Sequence, residues 1–111
     1  MNVYDTANRL AYEIKESDEY KDYKKLKKVV EENSNLKEKL NQFEKMRYEI
    51  QVASIRGTKQ DNEEAKEMQK LYLELIQDET MKKYFDAELK FNVLLTDINK
   101  IIGDAVQDVI K

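Results

Sequence analysis

The sequence predicts an all-α protein, and two observations lead to that fold class. Its 111 residues include two Gly and no Pro, so the usual turn residues are nearly absent. Apolar residues recur at intervals of three and four positions along most of the chain, which is the spacing of one helix face. No apolar run approaches the roughly 18 residues that a membrane span requires. We therefore expect one domain, residues 1–111, of four to five antiparallel helices forming an elongated bundle that self-associates.

The first two helices are predicted over residues 3–16 and 18–32. Asn2 is a favourable N-cap for the first helix, which carries an apolar stripe that includes Leu10 and Ile14. Ser17 is the expected cap of the second helix. Acidic residues follow this Ser in the first turn, where they interact favourably with the helix dipole.

The Asn-Ser-Asn segment at residues 33–35 is ambiguous, because these side chains compete with the helical backbone for hydrogen bonds. We favour a break there, with Asn35 as the N-cap and Glu38 at the capping-box position. The alternative is one helix over about residues 18–55, in which Asn33 is the polar a-position residue that fixes the register of a coiled coil.

The third, fourth and fifth helices are predicted over residues 35–56, 63–77 and 80–110. Gly57 is the expected stop of the third helix, and Asp61 or Asn62 the cap of the fourth. Asp78 or Thr80 is the expected cap of the long last helix.

One apolar stripe runs along the whole last helix at alternating spacings of three and four, and we call it the main seam. Its members are Met81, Tyr84, Glu88, Phe91, Leu95, Ile98, Ile102, Ala105 and Val109. Stripes on helices of 20 to 30 residues exceed what a chain of this size can easily cover, and uncovered apolar faces mark interfaces. We therefore predict a homodimer or higher homo-oligomer with the candidate interface Leu36, Leu40, Phe43, Tyr84, Glu88, Phe91, Leu95, Ile98 and Ile102.

Glu88 is the one charged member of the main seam, and two interpretations are open. A buried or interfacial ion pair, with Arg47 as one possible partner, is a structural interpretation. An unpaired carboxylate there would instead suit a general acid, in an enzyme built around Glu88 and Asp97. We favour the structural interpretation because no second convergent group accompanies Glu88.

The composition excludes much active-site chemistry. The chain contains no Cys and no His, so thiol nucleophiles, imidazole bases, disulfides and structural zinc sites are absent. It also has no Gly-rich phosphate loop. Glu63, Glu64 and Glu67 could coordinate a hard cation, but acidic residues in a first helical turn are explained by the helix dipole. We therefore predict no enzymatic activity and no catalytic, cofactor-binding or metal-binding residues.

One basic patch interrupts the mixed charge of the chain, which has 20 basic and 23 acidic residues. It consists of Lys21, Lys24, Lys25, Lys27 and Lys28. Together with nearby Tyr side chains it could bind RNA, and an RNA-associated factor is our alternative function. A solvated helix face is favoured because acidic residues surround the patch, so nucleic-acid binding is the less favoured expectation. The N-terminal residues carry no secretion signal, which predicts a cytoplasmic protein with no membrane association.

The sequence resembles a known family through residues that extend over essentially the whole chain. The opening matches at Tyr4, Asp5, Ala7, Leu10, Ala11, Ile14, Lys15, Glu16, Ser17 and Tyr20, and the middle at Leu40, Phe43 and Gly57. The last helix matches at Tyr84, Ala87, Glu88, Phe91, Asn92, Leu94, Leu95, Asp97, Ile98, Ile101 and Ile102. Together these residues resemble the YlbF/YmcA family of small bacterial helical proteins, and its YheA-like branch most of all.

This resemblance implies an all-helical, self-associating protein in the cytoplasm of Gram-positive-type bacteria. It implies regulation rather than catalysis, because better-studied members act as partners in a complex that influences RNA processing. Through that complex they affect competence, sporulation and biofilm formation. For this chain we expect a regulatory interaction protein whose partners are proteins. The alternative is an RNA-associated factor, or an adaptor of an RNA-processing complex, that uses the Lys21–Lys28 face.

Overall fold

Five α-helices make up the part of the chain that the computed structural model describes, residues 2–57 and 62–110. They are α1 (Val3–Glu16), α2 (Asp18–Glu31), α3 (Ser34–Arg56), α4 (Asn62–Leu75) and α5 (Glu79–Ile110). The predicted all-α fold with a long C-terminal helix is confirmed. At 32 residues, α5 is the longest of these helices.

Three predicted N-caps are confirmed by hydrogen bonds from backbone amides to cap side chains. The N–H of Asp5 donates to Oδ1 of Asn2 over 2.9 Å, and the N–H of Tyr20 donates to Oγ of Ser17 over 3.2 Å. Before α5, Oδ1 of Asp78 accepts from the N–H of Met81 over 3.1 Å. Each cap satisfies an amide that has no acceptor within its own helix.

The predicted break between α2 and α3 exists, but Asn33 caps α3 and the prediction of Asn35 is wrong. The backbone of Asn33 is extended, and its Oδ1 accepts a 3.1 Å hydrogen bond from the N–H of Leu36. Because this cap forms two residues earlier than predicted, Asn35 lies inside the first turn of α3. The extended residue interrupts the helix, so the alternative of one helix over residues 18–55 is also wrong.

Gly57 ends α3 as predicted. Its φ of 71° is in the left-handed region, which glycine adopts without the steric cost of a Cβ atom. Its N–H donates to the carbonyl groups of Ala53 and Ser54. The predicted caps of the fourth helix fall on Asp61 and on the side chain of Asn62, both outside the described part of the structure.

The chain divides into two compact units. Unit two, Lys27–Lys83, contains α3 and α4, which run antiparallel. The rings of Phe43 and Tyr72 lie 5.8 Å apart, and Lys39 Nζ lies 3.8 Å from a carboxylate oxygen of Glu74. Buried apolar residues of this unit are Val30, Leu36, Leu40, Phe43, Leu75 and Met81.

Unit one consists of Met1–Leu26 and Tyr84–Lys111, and it therefore contains α1 with parts of α2 and α5. No residue of α1 is fully buried, although Leu10 and Ile14 of its apolar stripe are half-buried. Among the described residues of unit one, the buried ones are Tyr84, Ala87 and Glu88, all in one short stretch of α5. The organisation of residues 1–111 as a single domain stays a prediction.

Replacing Asn33 by Ala should lower the free energy of unfolding by about 1 kcal/mol, because the amide of Leu36 loses its acceptor. Asn35→Ala is the matched control, since it changes the same residue type at an exposed position within the helix. Its effect should stay within about 0.7 kcal/mol and favour stability, because Ala has the higher helix propensity. Urea unfolding followed by circular dichroism measures both. Equal destabilisation by the two substitutions would contradict the assignment of the cap.

Candidate functional site

Aromatic rings of α2 and α5 form a cluster in unit one. The rings of Tyr20 and Phe91 are 5.9 Å apart in an edge-on arrangement. The ring of Tyr23 lies 5.5 Å from that of Tyr84 and 5.7 Å from that of Phe91. These distances are in the range of favourable aromatic pairs. Because later residues of α2 meet earlier residues of α5, the two helices run antiparallel here.

Glu88 lies within this aromatic cluster and is only 9 % exposed. The hydroxyl group of Tyr23 donates a hydrogen bond to its Oε2 over 3.3 Å. Burying a carboxylate is costly unless polar groups compensate it, and this hydroxyl provides one such group. Among the described residues, no buried side-chain nitrogen or oxygen atom lacks a hydrogen-bond partner.

Arg47, the partner suggested for Glu88 by the sequence, lies in the other unit. There its guanidinium group is 3.9 Å from a carboxylate oxygen of Glu44 and 5.4 Å from the centre of the Phe43 ring. The contact between Tyr23 and Glu88 could not be found from the sequence, because 65 positions separate the two residues. The sequence signal that bears on this contact is the spacing of Tyr20, Tyr23, Leu26 and Val30, which places Tyr23 on an apolar stripe of α2.

Glu88 and Asp97 do not lie on a common face of α5. Nine residues at about 100° each place them on opposite sides of the helix, and the axial rise between them is roughly 13 Å. Asp97 is exposed, whereas Glu88 is buried. The geometry of one α5 helix therefore does not bring these two carboxylates together as an acid and base pair.

Burial of the main seam decreases from the N-terminal to the C-terminal end of α5. Tyr84 and Glu88 are buried, and Phe91, Leu95 and Ile98 are half-buried. Farther along, Ile102 is 52 % and Val109 is 80 % exposed. The same face thus changes from core to surface along the helix.

The remaining candidate interface residues, Leu36, Leu40 and Phe43, are buried in unit two. The single chain already covers the apolar surface of these α3 side chains. The accessible part of the predicted interface therefore lies on α5, although the role of all nine residues in an interface stays a prediction.

All five lysines of the predicted basic patch are exposed on α2. Lys21 forms a 3.3 Å ion pair with Glu16, and Lys24 Nζ lies 5.8 Å from the centre of the Tyr20 ring. A cation at this distance from an aromatic ring is within the range of a cation–π interaction.

An open cleft of about 530 Å³ lies between α3 and α4 in unit two. It is lined by Gln42, Lys45, Met46, Glu49, Glu63, Glu64 and Glu67. The three glutamates weighed as cation ligands thus share a surface. Within the described ranges, however, no group of three His, Cys, Asp or Glu side chains is arranged to hold a metal ion. None of the described helices is long and apolar enough to cross a membrane.

A comparison with protein families identifies the group to which this sequence belongs. Residues 3–107 match the family described as "Control of competence regulator ComK, YlbF/YmcA". The chain belongs to the YlbF/YmcA family. This match confirms the family resemblance found in the sequence, and the assignment to a YheA-like branch stays a prediction.

Curated relatives of this YlbF/YmcA protein cover nearly its full length. A UPF0342 protein of Desulfitobacterium hafniense is 32 % identical over 110 residues, which are 99 % of this chain and 89 % of the relative. A UPF0342 protein of Halothermothrix orenii is 38 % identical over 102 residues, 92 % of this chain and 86 % of the relative. The corresponding protein of Symbiobacterium thermophilum is 34 % identical over 104 residues, 94 % of this chain and 93 % of the relative.

Tyr23→Phe should lower the free energy of unfolding by about 1 kcal/mol, because it removes the hydroxyl that donates to buried Glu88 and keeps the ring. Tyr20→Phe is the matched control, since Tyr20 contacts Phe91 through its ring. We expect the control to change stability by less than about 0.5 kcal/mol. Thermal unfolding followed by circular dichroism measures both variants, and a control at least as destabilised as Tyr23→Phe would refute the role of the hydroxyl.

Proposed function

We propose that this protein is a non-enzymatic regulatory module that acts by self-association and by docking onto partner proteins. The observation that carries this proposal is the loss of burial along the main seam of α5. An amphipathic helix is stabilised chiefly by packing of its apolar face. The C-terminal part of α5 has such a face but leaves it exposed in the single chain.

The exposed apolar surface at this end of α5 is dense. Within ten residues, five large apolar side chains are at least 40 % exposed: Ile101, Ile102, Val106, Val109 and Ile110. Four of them, Ile102, Val106, Val109 and Ile110, lie within about 100° of the helix circumference, whereas Ile101 lies on another side. Scattered apolar residues are normal on a protein surface, whereas a contiguous group such as these four is typical of an interaction site. Association with another protein molecule would bury these side chains, which the single chain leaves exposed.

Membership of the YlbF/YmcA family supports the regulatory part of the proposal. The family description names control of the competence regulator ComK, which is a regulatory function. We extend this function to the present chain, as a cytoplasmic, single-domain protein of the YheA-like branch. Its full-length match to the family is consistent with this extension.

The protein should show a molar mass above the 13.2 kDa of one chain, and the mass should rise with concentration. Light scattering coupled to size-exclusion chromatography, over a hundredfold range of concentration, measures this behaviour. The exposed apolar side chains of α5 provide the physical reason, because their burial favours association. A mass that stays at one chain throughout the range would refute self-association.

Binding of RNA through the basic patch is the second candidate function. The specific observation that favours it is Lys24 over the Tyr20 ring, beside four further exposed lysines on α2. Lysines can neutralise phosphates, and an accessible ring can stack on a base. Acidic neighbours and the net charge of −3 weigh against it, so we place it second.

Under this second candidate, the double substitution Lys24→Glu with Lys25→Glu should weaken binding to a single-stranded RNA by about tenfold or more at low salt. Lys82→Glu with Lys83→Glu is the matched control, because it reverses two adjacent exposed lysines on another helix. Fluorescence anisotropy with a labelled RNA at several salt concentrations measures the affinities. Absence of salt-dependent binding by the unaltered protein, or equal weakening by both variants, would refute the RNA function.

A further inference from the structure

Charged side chains are confined to one narrow band of α5 beyond Tyr84, with Glu88 of the main seam as the exception. At about 100° per residue, the band covers roughly 80° of the helix circumference. Its members are Asp86, Lys90, Asp97, Lys100, Asp104 and Asp108. Two pairs within it form ion pairs one turn apart, Asp86 with Lys90 at 3.1 Å and Lys100 with Asp104 at 2.9 Å. Four of the six charged residues are therefore paired with each other within the band.

A second stripe, beside the main seam, carries no charge at all, and we call it the uncharged stripe. Its residues follow the alternating spacing of three and four that keeps side chains on one helix face. They are Leu89, Asn92, Thr96, Asn99, Gly103, Val106 and Ile110, and all seven are exposed. A helix face that meets only water usually carries charged residues. The absence of charge along about 32 Å of exposed helix therefore indicates a contact surface.

The chemistry of the uncharged stripe varies along its length. Leu89 lies at one end, and Val106 and Ile110 lie at the other. Small or neutral polar residues occupy the centre, where amide and hydroxyl groups can both donate and accept hydrogen bonds. At Gly103, nothing lies within 4 Å of the position that a Cβ atom would occupy. A second backbone can therefore approach closely at this point.

We propose that a second copy of this chain packs antiparallel on the uncharged stripe, through α5 of each copy. This inference rests on the self-association proposed above and specifies its surface. In the antiparallel register that we infer, Leu89 faces Val106 of the second copy, and Asn92 faces its Gly103. Thr96 faces Asn99 of the second copy, so neutral polar groups meet neutral polar groups. Two-fold symmetry repeats each of these pairs.

The absence of charge on the uncharged stripe favours a second copy of the chain as its binding partner. A strongly charged partner would find no opposite charge on this stripe and would lose hydration of its own charges on docking. An identical stripe instead matches apolar ends with apolar ends and places the side chain of Asn92 over the space at Gly103. The antiparallel orientation also opposes the two helix dipoles, which is favourable.

The available area is consistent with such a dimer. The uncharged stripe covers an arc of roughly 100° on a helix about 11 Å wide, and the exposed end of the main seam widens this arc to roughly 160° over the last ten residues of α5. This corresponds to roughly 400 Å² per chain and roughly 800 Å² for a symmetric pair, which is the size of a weak, transient interface. We therefore expect a dimer that dissociates on dilution.

Leu89→Asp should raise the dissociation constant of the dimer by about tenfold or more, because it places a charge in the stripe. Ile101→Asp is the matched control on the same helix. Ile101 is 70 % exposed and Leu89 is 62 % exposed, but Ile101 lies on the side of α5 opposite the stripe. Sedimentation equilibrium measures the constants, and circular dichroism shows that each variant retains its helices.

Cysteine cross-linking tests the antiparallel orientation of the two α5 helices. Because the chain has no native Cys, only the introduced cysteines can react with the linker. Leu89→Cys and Val106→Cys chains, mixed and treated with a short bismaleimide linker, should give a covalent dimer. Each variant alone should give little, since an antiparallel pair keeps identical residues at these positions roughly 25 Å apart. Asp97→Cys, which lies in the charged band, is the negative control.

The outcomes separate this inference from the proposed function. A dimer that tolerates Leu89→Asp as well as Ile101→Asp would overturn the uncharged stripe as its surface and leave self-association intact. Efficient cross-linking of Leu89→Cys alone would overturn the antiparallel arrangement. A protein that stays monomeric at all concentrations would overturn both the inference and the self-association on which it rests.

Discussion

The contact of Tyr23 with Glu88 is the constraint on which the register of α2 and α5 depends. Ring contacts alone tolerate sliding, because apolar surfaces attract without strong directionality. A buried carboxylate is more demanding, since a shift of one helical turn, about 5.4 Å, would separate it from the Tyr23 hydroxyl. The aromatic cluster thus supplies attraction between these helices, and the hydrogen bond selects one alignment.

Local signals in the sequence were sufficient to predict the helices, whereas contacts between distant residues were not. Asn2, Ser17 and Gly57 act on the adjacent backbone, so their roles follow from sequence spacing. Asn33 and Asn35 are the same residue type, and the backbone conformation determines which of them caps α3. The partner of Glu88 depends on helix register, and the loss of burial along α5 depends on which parts of this helix other helices cover. Neither can be read from periodicity alone.

The two stripes of α5 differ in what covers them in this YlbF/YmcA family member. The main seam begins as a packed core at Tyr84 and becomes accessible at Ile102. The uncharged stripe is exposed from Leu89 onward. If a second copy covers the uncharged stripe, exposed Ile101 on the other side of the helix remains available to a regulatory partner. Under the proposed function, this one long helix would contribute to folding, self-association and docking.

The gradual loss of burial along α5 also has a consequence for local stability. Backbone amides near Tyr84 are protected by a packed core, whereas those near Val109 have few apolar neighbours to resist opening. The terminal turns of a free chain should therefore fray readily, and association would raise the free energy needed to open them. The end of α5 would then be an element whose helical order depends on protein concentration, so that binding and the completion of folding occur together.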